Sequence, residues 1–161
     1  MIKKQKNTRH IFFEVLEKIM EKDKKVVFIT GDLGYSYMER IQKRFPKQFI
    51  NAGCMEQSAT GIAVGLSMAG FKPYLYSTLN FILFRNLEQI RNDVVVANNN
   101  VKIIGVSMSG FIGFTHNRLH TKEDTNLCEN IGLKAYTPTL KGLDKLLIKT
   151  SKNTKPCYIR L

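Results

Sequence analysis

The sequence predicts an α/β fold, a three-layer sandwich of a mostly parallel sheet with helices on both faces. Short apolar runs alternate with amphipathic helical segments from one end of the chain to the other. The apolar runs are continuous, which is typical of strands buried on both faces. A length of 161 residues, 43% of them hydrophobic, is enough for one domain that folds without disulfide or metal.

The first half of the chain begins with apolar residues at helical spacing, followed by a buried strand. The next helix ends before Pro46, because the residue before a proline avoids the helical conformation. A short strand then leads into a long helix rich in small residues, which ends at Gly70. The predicted elements are helix 10–22, strand 26–30, helix 37–45, strand 49–51 and helix 55–69.

The second half continues the alternation without a repeat or a linker. We therefore expect residues 1–161 to form a single domain, with residues 1–9 as a flexible basic N-terminus. The predicted elements are strand 72–76, helix 81–98, strand 101–107, a loop over 109–122, helix 124–130, strand 134–136, helix 140–151 and strand 157–159.

The formal net charge of +12 favours a solvated, lysine-rich surface, with a contact to an acidic partner or anionic ligand as the alternative. A nucleic-acid site is disfavoured, because the lysines are scattered and not interleaved with aromatic residues. No apolar run reaches the length needed to span a bilayer. Three cysteines without CxxC spacing are typical of a reducing compartment, so we expect a cytoplasmic protein without a zinc site.

Ligands of parallel α/β sheets bind outside the carboxyl ends of the strands. Here those ends are 31–32, 51–53, 77–78 and 107–113, and we expect them to converge on one rim. The sequence lacks GxGxxG and GxxxxGK[ST] phosphate loops and a GxSxG nucleophile elbow. His116 and His120 lie four residues apart, but without the glutamate of HExxH they do not predict a metal site.

Glu56 stands at the start of a long helix directly after a strand, in the run FINAGCMEQ. One interpretation is a carboxylate that interacts favourably with the positive end of the helix dipole. The other is a partly buried carboxyl on the ligand rim that donates or shares a proton. Spacing alone favours the first interpretation.

Several segments taken together resemble the pyrimidine-binding domain of transketolases, over about residues 10–161. The resemblance is strongest to split transketolases, in which two polypeptides form the enzyme. It rests on FINAGCMEQSATGIAVGLSMAGFKPYLYST at 49–78, RNLEQIRND at 85–93, VKIIGV at 101–106, GFTH at 113–116 and KPCYIRL at 155–161.

The resemblance implies that Glu56 contacts the aminopyrimidine ring of thiamine diphosphate and acts in catalysis. A hydrogen bond from Glu56 to ring nitrogen N1′ would favour the imino tautomer, whose nitrogen takes the proton from the thiazolium carbon. Phe81 matches the phenylalanine that stacks on this ring, with Phe84 as a nearby alternative and core packing as the simpler role. Asp32 matches an acidic residue near the cofactor, and its alternative role is to cap the helix that follows.

His116, in GFTH, matches the histidine of the family's GPTH motif, which contacts substrate hydroxyls and takes part in catalysis. His120 is the alternative, because the spacing after the motif is irregular. Ile112 stands where transketolases carry an aspartate that binds the donor sugar, so the resemblance leaves the donor open.

The resemblance also implies a small subunit without the third, C-terminal domain of the family. The GDG motif that helps to hold the diphosphate and Mg²⁺ is missing, since Gly31-Asp32 is followed by Leu33, and Asn98-Asn99-Asn100 is too distant to serve as its NN motif. We therefore expect a diphosphate-binding partner subunit that carries both motifs, in an α2β2 heterotetramer. The expected function is two-carbon ketol transfer to a sugar or sugar-nucleotide acceptor. The alternatives are a subunit of a thiamine diphosphate-dependent 2-oxo acid decarboxylase or dehydrogenase, or a regulatory domain.

Overall fold

The fold is built around a six-stranded parallel sheet in a computed structural model that describes residues 7–106 and 122–161. The strand order is β2-β1-β3-β4-β6-β5, and each neighbouring pair is parallel. The strands are β1 (Val26–Thr30), β2 (Phe49–Asn51), β3 (Lys72–Thr78), β4 (Lys102–Val106), β5 (Ala135–Tyr136) and β6 (Cys157–Arg160). The predicted parallel α/β fold is therefore confirmed.

Helices cover both faces of this sheet within the described part of the chain. The π-helical segment directly continues α5. The helices are α1 (Thr8–Lys22), α2 (Met38–Arg44), a 3₁₀ turn (Pro46–Gln48), α3 (Glu56–Met68), α4 (Leu79–Phe84), α5 (Leu87–Gln89), the π-helix (Ile90–Val96), α6 (Glu123–Asn130) and α7 (Leu143–Ser151).

The central strands are buried on both sides because neighbouring residues point to opposite faces. In β1, Phe28 packs into the layer formed by α1, α2 and α7, whereas Ile29 packs under α3, α4 and α6. The first layer is aromatic: Phe13 contacts Phe28 edge-on, with ring centroids 5.5 Å apart, and Tyr37 by stacking at 5.0 Å. The second layer contains small residues of α3, such as Ala59 and Ala63, so that helix lies close to the sheet.

One predicted element is wrong in detail, because residues 81–98 do not form a single helix. The helix is interrupted at Arg85 and Asn86, and it continues as α5 and the π-helix. Asn86 is fully buried with φ −130°, and its amide donates a hydrogen bond of 2.5 Å to Thr60 Oγ1 in α3. This long-range contact fixes the break, which places Arg85 at the rim of the sheet.

The other predicted elements differ only at their ends. The first helix begins at Thr8 rather than residue 10, because the Asn7 side chain accepts a hydrogen bond from the His10 N–H at 2.9 Å. The last helix begins at Leu143 rather than residue 140, and β3 extends to Thr78. The predicted loop over 109–122 lies outside the described residues apart from Lys122.

Candidate functional site

Glu56 lies at the carboxyl edge of the sheet, as the first residue of α3. Its side chain is only 5% exposed, so the carboxyl group needs polar partners. The Ser77 hydroxyl at the end of β3 donates to Glu56 Oε1 at 3.5 Å, and Arg85 Nη1 donates to Oε2 at 3.2 Å. The carboxyl therefore lies where β3, α3 and the break after α4 meet.

The turn between β2 and α3 holds Glu56 in this position. Gly53 has φ +72°, a left-handed conformation that glycine adopts without strain. The side-chain oxygen of Asn51 accepts from the backbone N–H groups of Gly53 and Asp32, both at 3.0 Å. A Cβ at Gly31 would lie 3.0 Å from the Gly53 carbonyl oxygen, so the loops after β1 and β2 are in close contact. The predicted convergence of these two strand ends is confirmed.

Phe81, the predicted stacking residue, contacts the same arginine as Glu56. The Arg85 guanidinium lies over the Phe81 ring, 3.7 Å from the centroid, while it also bonds to Glu56. Phe81 and Arg85 are four residues apart, so their side chains share one side of the chain. Phe81 and Glu56 therefore both contact the Arg85 guanidinium, which is flat. Phe84, the alternative, is 44% exposed.

Arg85 was not singled out by the sequence reasoning, although it bridges the two predicted residues. The sequence offered one signal for Arg85: it is a cation four residues after an aromatic residue, and the predicted cofactor-binding residues are otherwise acidic or aromatic. The Gln57 side chain donates to the Arg85 carbonyl oxygen at 2.9 Å. The backbone at Arg85 is therefore attached to α3, while its side chain is 50% exposed.

A cavity of about 500 Å³ opens beside these groups. Its lining combines a free thiol, a hydroxyl, an amide and a guanidinium with one carboxyl group, so it suits a polar ligand. The lining residues are Cys54, Met55, Glu56, Gln57, Ser58 and Arg85.

Asp32 also lies on this rim, directly after β1, but it does not cap a helix. It has φ +56°, and its Oδ1 accepts from the Asn51 side-chain amide at 3.2 Å. The helix that follows begins only at Met38, and its N-cap residue Tyr37 makes no side-chain capping bond. The capping role weighed for Asp32 is therefore wrong. A hydrogen bond with Asp32, and its negative charge, raise the pKa of the Tyr35 hydroxyl.

A second, smaller cavity of about 240 Å³ lies on the same edge, on the other side of the β1 loop. Its wall is mainly apolar and includes Leu33 and Val106, with Arg9 as the cation. The Thr78 hydroxyl is buried and has no hydrogen-bond partner among the described residues. Arg9 was missed by the sequence reasoning, which treated residues 1–9 as a flexible terminus.

His116 and His120, the predicted substrate-binding residues, lie outside the described residues. Within residues 7–106 and 122–161, no three His, Cys, Asp or Glu side chains are grouped so that they could hold a metal ion. No helix in that same part of the chain is long and apolar enough to cross a membrane.

Comparison with known proteins identifies the family. The family described as "Transketolase, pyrimidine binding domain" matches residues 4–161. The chain belongs to this family. The rim with Glu56 and Phe81 is thus the carboxyl edge of the sheet in a transketolase pyrimidine-binding domain.

The relatives of this pyrimidine-binding domain include both single subunits and longer enzymes. The chain is 37% identical to one of the subunits of the apulose-4-phosphate transketolase of Phocaeicola vulgatus, over 95% of the chain and 50% of the relative. It is 35% identical to the 1-deoxy-D-xylulose-5-phosphate synthase of Listeria monocytogenes, over 90% of the chain and 24% of the relative. The chain thus spans half or less of the length of these curated relatives.

Solved structures share the fold of this domain. A split-gene transketolase, described as an inactive beta4 tetramer, superposes with a TM-score of 0.83 at 29% identity, over 96% of the chain and 50% of the match. A transketolase of Pichia stipitis superposes with a TM-score of 0.78 at 17% identity, over 95% of the chain and 25% of the match. The second similarity concerns the fold alone.

Proposed function

We propose that this chain is the pyrimidine-binding subunit of a two-subunit, thiamine diphosphate-dependent transferase that moves a two-carbon ketol unit between sugars. One observation carries the proposal: the Glu56 carboxyl and the Phe81 ring face both lie within reach of one flat group. The family membership supports the choice of cofactor.

The residues at this rim fit an aminopyrimidine ring. The contacts of Arg85 support this fit, because its flat guanidinium, with nitrogen atoms at its edge, both stacks on Phe81 and hydrogen-bonds to Glu56. A ring with nitrogen at its edge makes the same two kinds of contact. When bound, thiamine diphosphate supplies a nucleophilic carbon and an electron sink for carbon–carbon bond cleavage.

The chain's own residues then have separate roles. Glu56 holds a proton at its carboxyl and donates a hydrogen bond to the ring nitrogen. The Ser77 hydroxyl, 3.5 Å from Oε1, orients the carboxyl group. Phe81 provides the stacking surface. Asp32 lies on the same rim as a further acidic group, and His116 or His120 is expected to contact the substrate hydroxyls.

The exposed side of α3 is suited to a partner subunit. Gly61 and Gly65 have no atom within 4 Å of where a Cβ would lie, and Met68 is 77% exposed. Ile62, 39% exposed, continues this stripe of small and apolar residues. Such a surface allows another helix to approach closely. We infer that a diphosphate-binding subunit with GDG and NN motifs binds here and supplies the Mg²⁺ site, in an α2β2 heterotetramer.

The substrates are proposed to be sugars that carry an anionic group. The cavity at Arg9 provides a cation and a buried hydroxyl on the same edge as the cofactor site. A phosphate or nucleotide-linked sugar would place its charge there. Two relatives are named for apulose 4-phosphate and 1-deoxy-D-xylulose 5-phosphate, which are both phosphorylated sugars, and this supports the proposed class. We propose a cytoplasmic location, given three free cysteines.

The experiment combines the chain with its diphosphate-binding subunit and measures two-carbon transfer from a ketose phosphate to an aldose acceptor. Glu56→Gln should lower kcat by at least about 100-fold while the complex still assembles, because the amide cannot deliver the proton. Glu129→Gln, an exposed glutamate on α6, is the matched control and should leave kcat unchanged. Unchanged turnover by Glu56→Gln would overturn the catalytic assignment and favour a regulatory domain.

A second candidate is a synthase or decarboxylase that takes its two-carbon unit from a 2-oxo acid. The 35% identity to a 1-deoxy-D-xylulose-5-phosphate synthase over 90% of the chain favours this alternative. The same assembled complex is supplied with pyruvate in place of the ketose. Release of carbon dioxide together with formation of a 1-deoxy sugar would identify the synthase, and turnover restricted to ketose donors would identify the transferase.

A further inference from the structure

Arg85 makes the two contacts that the proposed function assigns to the cofactor ring. Its guanidinium lies 3.7 Å from the centroid of the Phe81 ring, and its Nη1 donates to Glu56 Oε2 at 3.2 Å. A guanidinium is planar, with nitrogen atoms at its edge, and it stacks readily on aromatic faces. The group thus covers one ring face and one carboxyl oxygen at the same time.

We propose that Arg85 is an internal occupant of the pyrimidine site, and that its side chain must leave before the cofactor ring can bind. This inference rests on the proposed function. Two flat groups cannot stack on the same face of Phe81 together. Arg85 therefore competes with the aminopyrimidine and sets the affinity for the cofactor.

Hydrogen-bond direction makes the two occupants exclusive at Glu56 as well. A guanidinium only donates, so Glu56 accepts while Arg85 is bound. To act on a ring nitrogen, the Glu56 carboxyl must itself donate. Departure of Arg85 therefore does more than clear space, because it allows the carboxyl to change from acceptor to donor.

The surroundings of Arg85 permit this displacement by a side-chain movement alone. Its carbonyl oxygen is held by Gln57 at 2.9 Å, and the next residue, Asn86, is anchored to Thr60. The side chain, in contrast, is 50% exposed and lines the cavity of about 500 Å³. The guanidinium can move into that cavity or into solvent while the backbone stays in place.

The consequence is a lower apparent affinity for the cofactor, since only the fraction of molecules with Arg85 displaced can bind it. Arg85 is held by one ion pair and one cation–π contact, and each of these interactions is modest. Competition from Arg85 should therefore weaken thiamine diphosphate binding about tenfold. Arg85→Met removes both interactions. Arg85→Lys keeps the charge near Glu56 but lacks the planar group, so its affinity should lie between that of Arg85→Met and that of the unmodified chain.

The test measures the Kd of thiamine diphosphate with Mg²⁺, by calorimetry, on the chain assembled with its diphosphate-binding subunit. Arg85→Met should bind about tenfold more tightly than the unmodified complex. Arg91→Met, an exposed arginine on the following π-helix, is the matched control and should bind as the unmodified complex does. Equal or weaker binding by Arg85→Met would overturn the proposal.

A second measurement needs no variant. In the chain assembled with its diphosphate-binding subunit, the Arg85 side-chain protons should show upfield NMR shifts from the Phe81 ring, and saturation with thiamine diphosphate and Mg²⁺ should abolish those shifts. Persistent shifts at saturation would overturn the inference even if Arg85→Met failed to fold.

The two proposals fail in different ways. If Glu56→Gln and the unmodified complex bind thiamine diphosphate equally weakly, the proposed function itself is wrong. If binding depends on Glu56 but is the same in all Arg85 variants, only the role of Arg85 is wrong.

Discussion

Arg85 and Lys102 are two cations at opposite edges of the sheet, and they are held in opposite ways. Lys102, the first residue of β4, is 1% exposed, and its Nζ, with three N–H donors, lies within hydrogen-bond distance of four oxygen atoms. These are Asn100 Oδ1 at 2.7 Å, Asn153 Oδ1 at 3.0 Å, Asn153 O at 3.4 Å and Lys155 O at 2.5 Å. The Arg85 side chain is 50% exposed, pairs with the Glu56 carboxylate and stacks on the Phe81 ring.

The difference separates a structural cation from a displaceable one. Lys102 joins β4 to the loop before β6, and removing it would take a donor away from partly buried oxygen atoms, of which Asn153 Oδ1 keeps the Lys155 N–H. Arg85 can be replaced by water or by a ligand, because its partners face a cavity. The burial of the cation itself and the number of its hydrogen-bond partners, rather than the presence of charge, thus distinguish Lys102 from Arg85.

The largest expected effect is on folding stability at the amino edge. Lys102→Met should lower the free energy of unfolding by about 3 kcal/mol, because a methionine fills the space but donates no hydrogen bond. Chemical denaturation followed by circular dichroism measures the change. Lys149→Met, at an exposed position of α7, should change it by less than about 0.5 kcal/mol. Equal stability of the two variants would remove the structural role given to Lys102.

A third cation provides an intermediate case. Arg160 donates to Asp124 Oδ1 at 3.0 Å, and the buried Tyr158 hydroxyl donates to Oδ2 at 2.7 Å. Asp124→Asn replaces one acceptor by a donor, so it should cost about 2 kcal/mol in the free energy of unfolding. Asp144→Asn on the exposed start of α7 is the control. A variant at Asp124 as stable as its control would show that this buried group contributes little.

The fold was predictable from sequence because continuous apolar runs such as 26–30 and 102–106 are distinctive. The break at Asn86 was not, since it depends on a hydrogen bond to Thr60 that is 26 residues away in sequence. Local helical spacing continues through that position, so pattern reasoning predicts an unbroken helix. Tertiary contact overrides the local preference here.

The site was predictable in part. Glu56 and Phe81 stand in motifs whose order along the chain resembles a known family, so both positions could be selected from sequence. Arg85 was missed because its pairing with Glu56 joins residues 29 apart and arises only when α3 packs beside the break. Arg9 was missed for a related reason: a basic terminus gives no sign that it contributes to a cavity.

The pH dependence of stability should also distinguish the two edges. Burial lowers the pKa of Lys102 from 10.5 to about 8. Between these values the unfolded chain binds more protons than the folded chain, so the free energy of unfolding rises with pH. From pH 7.5 to 9 the contribution should be about 1 kcal/mol, and Lys102→Met should lack it. Buried Cys128 and Cys157, whose pKa values are raised to about 12 and about 11, act in the opposite direction as the pH approaches and passes 9. The unmodified chain and Lys102→Met both contain these cysteines, so the Lys102 contribution is the difference between their two pH profiles. A steeper rise in Lys102→Met would contradict the assignment.

The smallest expected effect is the most informative for the comparison. Arg85→Met should lower the free energy of unfolding by about 1 kcal/mol or less, because the Ser77 hydroxyl still donates to the Glu56 carboxyl and water from the cavity can replace the half-exposed guanidinium. The same variant is expected to bind thiamine diphosphate about tenfold more tightly. A residue whose replacement strengthens ligand binding while it slightly lowers stability acts on the binding site rather than on the fold. If Arg85→Met instead lost as much stability as Lys102→Met, the two cations would be equivalent, and the carboxyl edge would be as rigidly built as the amino edge.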